Sequence, residues 1–169
     1  MEEPIDLVVY GKSAIFLLFP ENEGIGVTND LDLIIPEVQI SVFNERLDFW
    51  DAVEKTNEDL RAYGLYLSHI FDEHQIILHA NWFESKIKIE NKDFRNLSVY
   101  VPSPLDLILT KMMRVDPQDR EDILLIFENA KIKPLELTNR IKDAICPDIQ
   151  EIKCAFEANN AWLREKKII

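Results

Sequence analysis

A chain of 169 residues, 47% hydrophobic and 30% charged, carries enough apolar material for one good core, or for a sheet-based core with a smaller helical appendage, and is too apolar for a disordered chain. Its formal net charge of −12 argues against a surface that holds nucleic acid by phosphate contacts alone; a local basic groove or a basic protein partner stays open. No apolar run approaches the roughly 18 to 20 residues that span a bilayer, and Met1-Glu2-Glu3-Pro4 lacks a signal peptide's basic region, so a cytoplasmic protein is expected.

Ile5 to Tyr10 is β-rich and closes at Gly11, and the short apolar run Ser13 to Phe19, ended by Pro20, predicts a brief helix. Glu21 to Val27 reads as a loop into Thr28-Asn29-Asp30-Leu31-Asp32-Leu33-Ile34-Ile35, an apolar strand opened by two carboxylates. Arg46 to Tyr63 predicts an amphipathic helix with Leu47, Trp50, Val53 and Leu60 near helical spacing. Leu65 to Phe71 and Gln75 to His79 suggest a hairpin around Asp72-Glu73-His74, and Ile87 to Glu90 and Leu97 to Val101 extend the β region. After Pro102 the character changes. Ser103 and Pro104 read as cap and first residue of a helix through Arg114, and Pro117 to Ala130, Pro134 to Ala144 and Pro147 to Lys167 predict three more. The organisation expected is an α/β domain over residues 1–101 and a helical region over 102–169. Cys146 and Cys154 have no metal-spaced partners and read as buried thiols.

The chemistry centres on Asp30 and Asp32. Side chains alternate along a strand, so the two carboxylates share a face, where like charges repel unless a cation lies between them. Hard oxygen ligands in this arrangement suit Mg²⁺, which takes one or two protein carboxylates and completes its shell with water and phosphate oxygens. A solvated strand face is the other reading of the same residues. Gly11-Lys12-Ser13 is not a P-loop, because the G-x-x-x-x-G-K-[ST] pattern needs Gly where Asp6 stands. It remains a strand–turn–helix junction whose free N–H groups can hold phosphate. His69, His74 and His79 are five residues apart, which does not favour a three-histidine metal site, although His79 could act as base or ligand.

A Gly-Ser turn after a first strand, a short helix and a DxD opening the next strand resemble the nucleotidyltransferase superfamily. Ser103-Pro104-Leu105-Asp106 through Lys111 and Arg114, followed by Asp119-Arg120-Glu121-Asp122, resembles the branch of the abortive-infection AbiEii toxins and the DUF6036 proteins. The resemblance implies a nucleotidyltransferase-like mixed β-sheet with flanking helices and a C-terminal helical region. It implies Mg²⁺ or Mn²⁺ on Asp30 and Asp32, nucleoside triphosphate on Gly11, Lys12, Ser13 and Lys111, a catalytic part for Asp122, and a place for Asp119 in the site wall. The activity implied is transfer of a nucleoside monophosphate from a triphosphate to an RNA or protein hydroxyl. One departure stands out: members usually present a third carboxylate on a later strand, and the expected strand 75–79 ends in His79. The alternative is therefore a catalytically impaired binding module or adaptor, such as one half of a toxin–antitoxin pair.

Overall fold

A computed structural model of the chain describes residues 5–22, 28–90 and 97–169. The architecture is mixed α/β, with a central mixed sheet, flanking helices and further helices toward the C-terminus. Two compact units share it: residues 1–73 with 87–101, and residues 74–86 with 102–169.

The first unit is built on a five-stranded sheet of β1 (Ile5–Tyr10), β2 (Asp30–Ile35), β3 (Tyr66–Asp72), β5 (Ile87–Lys88) and β6 (Leu97–Val101), in the order β3-β2-β1-β6-β5. β1 runs antiparallel to β2 and parallel to β6, while β2 runs parallel to β3. The strands form where apolar, β-branched residues cluster, and Val8, Val9, Leu33, Ile34 and Val101 are buried. Full burial of each such side chain contributes about 1.5–3 kcal/mol. Helix α1 (Gly11–Leu18) follows β1 without a linker, burying Ala14 and Ile15, and packs on β1, β2 and β6. Helix α2 (Ile40–Glu45), absent from the sequence expectation, precedes α3 (Leu47–Arg61). In α3 the buried aromatic is Phe49, while Leu47 and Trp50, expected on the apolar face, are exposed. The α3 side chain Asn57 accepts from the Leu67 N–H at 2.7 Å and donates to the Leu67 carbonyl at 3.3 Å. The loop expected over 21–27 lies outside the described residues from 23 onward.

The expected hairpin is not formed. Residues 66–72 pair in parallel with β2, whereas β4 (Leu78–His79) joins the second unit and pairs with β7 (Ala144–Ile145). The chain between them turns through a 3-10 segment, Glu73–Gln75, rather than a tight two-strand turn. Ala144, expected to end a helix over 134–144, lies with Ile145 in that short ladder, and α6 (Pro134–Lys142) stops before it.

In the second unit α4 (Pro104–Lys111) and α5 (Pro117–Asn129) start as the sequence expects, each with Pro in its first turn. Ser103 Oγ accepts from Asp106 N–H at 3.3 Å, and Asp116 Oδ1 accepts from Gln118 and Asp119 N–H at 2.8 and 3.2 Å. Leu107, Ile108, Leu109, Met112, Ile123, Ile126, Leu137 and Leu163 are fully buried. The last helix, α7 (Gln150–Glu165), sends Asn159 Nδ2 to the carbonyls of Met112 and Arg114 at 3.2 and 2.8 Å, closing the end of α4. Cys146 is half-buried, and Cys154, expected to be buried, is exposed on α7. Among the described residues, no helix is long and apolar enough to cross a membrane.

Candidate functional site

Antiparallel pairing sets Tyr10 opposite Asp32, so the turn that starts α1 lies beside the acidic strand. Gly11 is buried with φ +69°, and a Cβ there would lie 2.9 Å from Asp32 Oδ2. Conformation and space both demand glycine. Ser13 Oγ donates to the Asp30 carbonyl at 2.7 Å, tying α1 to β2, and Thr28 Oγ1 accepts the Asp30 N–H at 3.3 Å. No side chain caps the start of α1, and a helix start of this kind is where an anion can be held.

On the other flank of β2 the register slips. Leu31 faces Leu67 and Leu33 faces Ile70, so the single residue Asp32 is met by two, Ser68 and His69. Ser68 Oγ donates to Asp32 Oδ1 at 2.7 Å, and His69 Nδ1 lies 3.1 Å from the same oxygen. Because an ionised carboxylate only accepts, Nδ1 carries the proton in this contact. Asp32 thus has a hydroxyl and an imidazole around it. Asp30 differs: its Oδ1 is buried with no hydrogen-bond partner among the described residues, as is Asn160 Oδ1 on α7.

An unmet buried carboxylate oxygen costs about 1–3 kcal/mol or more. Asp30 and Asp32 supply hard oxygens of the kind a divalent cation takes, and the missing side chain of Gly11 lets the α1 turn come close against the Asp32 carboxylate. Among the described residues no three His, Cys, Asp or Glu groups are placed to hold a metal. The oxygen-only donor set of Asp30 and Asp32 is of the chemistry that suits Mg²⁺.

Within the second unit, Lys111, Asp119 and Asp122 come together. Lys111 Nζ donates to Asp119 Oδ1 at 3.0 Å and Asp122 Oδ2 at 2.6 Å, all three side chains being buried. Arg114 Nε adds a bond to Asp119 Oδ2 at 2.9 Å. Asp106, fully buried, accepts from Ser103 and Ser85 at 2.6 and 3.0 Å and pairs with Arg140 through both oxygens. His79 lies on β4, where its Nδ1 accepts the Asn81 N–H at 3.1 Å. Sequence reasoning did not place Ser68 or His69 beside Asp32, weighing His69 only for a three-histidine metal site. The signal was faint: a polar pair interrupting the apolar run of a strand.

These features define a class: an α/β protein whose mixed sheet sets a glycine turn against an acidic DxD pair. The family model described as "Nucleotidyltransferase of unknown function (DUF6036)" matches residues 1–167, and the chain belongs to that family. Comparison with curated proteins and with solved structures gave no match.

Proposed function

We propose that this protein transfers a nucleoside monophosphate from a nucleoside triphosphate to a hydroxyl on RNA or protein. The observation that carries the reading is the Asp30 and Asp32 pair, unneutralised by any lysine or arginine contact among the described residues, with an unbonded Asp30 Oδ1 and the Gly11 turn packed closely against Asp32. Asp30 and Asp32 would hold Mg²⁺ or Mn²⁺, which when bound supplies charge neutralisation on the transferring phosphoryl group. The chain's own groups do the rest. The first N–H groups of α1 bind phosphate oxygens, and Lys12 adds positive charge on the same turn. Ser13, by holding the Asp30 carbonyl, keeps that turn fixed to the acidic strand. The acceptor hydroxyl oxygen bonds to the α-phosphorus as the bond to the bridging β-phosphate oxygen breaks; the hydroxyl proton passes to solvent and pyrophosphate leaves. Lys111, Asp119 and Asp122 we assign to joining α4 to α5, because Lys111 already donates to both carboxylates.

A second reading is favoured by one observation: β3 meets Asp32 with Ser68 and His69 rather than a carboxylate. Without that carboxylate base, a role worth about 10² to 10⁴ in rate, the protein would bind nucleotide without transferring it and would serve as an adaptor, as in a toxin–antitoxin pair. Labelled transfer from each of the four triphosphates to cellular RNA or protein, with Mg²⁺ or Mn²⁺, tests the enzyme. Calorimetric titration run beside it separates the outcomes: transfer establishes the enzyme, binding without transfer the adaptor, and neither overturns both.

A further inference from the structure

Resting on the nucleotide reading above, we infer that His69 is a platform on which a nucleobase stacks beside the Asp30 and Asp32 pair. The imidazole is fixed on two sides. Its Nδ1 is held by Asp32 Oδ1 at 3.1 Å and lies 2.9 Å from Ser68 Oγ, and its ring lies parallel to Phe71, with centroids 5.5 Å apart and planes 7° off. Phe71 is in turn braced by the edge of Tyr10 at 6.3 Å. Despite these contacts the His69 side chain is 61% exposed, whereas the Asp32 it touches is only 24% exposed. A ring that is rigidly oriented yet open to solvent loses little freedom when a second planar group covers it. The bulge supplies this arrangement, since a regular strand would give Asp32 one neighbour, not a hydroxyl and a ring together.

The ligand chemistry follows. A planar, polarisable heterocycle suits the open imidazole, and stacking tolerates any of the four bases because each has a π-face. Two sources carry that group to the site: the base of the triphosphate, or the terminal base of an RNA acceptor.

The experiment measures binding to the full chain and to His69→Ala, His69→Asn and His69→Phe. Asn keeps a donor for Asp32 without a ring, and Phe keeps a ring without the donor. One arm titrates nucleoside triphosphate against ribose 5′-triphosphate lacking a base. The other titrates a short RNA against the same RNA with an abasic 3′ end. Platform action predicts affinity about tenfold weaker in Ala and Asn and regained in Phe, only for the probe carrying the base. The arm in which this occurs identifies the source. Equal binding by all variants, while the wild type binds triphosphate, overturns the platform alone; recovery in Asn but not Phe overturns it in favour of positioning Asp32. A wild type that binds neither triphosphate nor RNA overturns the platform together with the nucleotide reading beneath it.

Discussion

Asp30 with Asp32 and Asp119 with Asp122 are both close-set aspartate pairs, but the chain treats them in opposite ways. Lys111 Nζ sits between the second pair, within 3.0 Å of each, and Arg114 adds a further contact to Asp119. The first pair meets only a hydroxyl and an imidazole on Asp32, and one oxygen of Asp30 meets nothing among the described residues. Where a buried pair is neutralised internally, its removal damages the fold. Where the neutralising charge is left to a ligand, removal damages binding.

The sharpest break of that comparison replaces Asp30 and Asp32 by Asn together. Mg²⁺-dependent triphosphate binding and any transfer should fall by more than about 10³-fold, with the unfolding transition unchanged or raised because a like-charge repulsion is removed. Loss of the fold in circular dichroism would move this pair into the structural class. Next, Lys111→Met should lower unfolding free energy by about 3–5 kcal/mol in urea titration, since two buried carboxylates lose the ammonium between them, although Asp119 keeps Arg114. Adding Asp119→Asn and Asp122→Asn to that variant should restore a large part of the loss. An unchanged midpoint for Lys111→Met, with triphosphate binding abolished, would place Lys111 among the ligand-binding groups instead.

Two glycines sharpen the contrast further. Gly11 and Gly64 both have positive φ, +69° and +67°, but only Gly11 has a neighbour within 4 Å of a built Cβ. Alanine should cost each about 1–2 kcal/mol of stability from the left-handed backbone, and only Gly11→Ala should also weaken triphosphate binding, by pushing Asp32 aside. The smallest effect concerns the cysteines. Burial pushes the Cys146 thiol up, with Glu157 adding to the rise and Lys153 opposing it. The thiolate is thus disfavoured in the fold, and the stability this group contributes is lost as pH rises past its ordinary value. Iodoacetamide near pH 8 should label exposed Cys154 before Cys146, checked by peptide mass mapping.

How far these differences could be read in advance depends on their range along the chain. Helix starts at Ser103-Pro104 and Asp116-Pro117 are local chemistry, and they stand where the residues put them. The acidic strand and the Gly11 turn were equally visible, since alternation and glycine's φ are properties of a few residues. The partner of 66–72 was not. Whether that strand pairs forward in a hairpin or backward in parallel with β2 turns on long-range packing. The expected strand 75–79, where a third acid was looked for, drew attention to His79, while the bulge that brings Ser68 and His69 to Asp32 exists only once β3 lies beside β2. The family resemblance assigned Lys111 to triphosphate, since nothing in its own sequence neighbourhood announces that both α5 carboxylates turn toward it.

Asn57 carries one consequence beyond the site. A carboxamide has the same donor and acceptor as a peptide group, and by engaging both the N–H and the C=O of Leu67 it occupies part of the sheet border that another chain's strand would need. The opposite border is β5, two residues long. The sheet is terminated at one margin by a side chain imitating a backbone and at the other by brevity, which discourages fibrillar growth from either side.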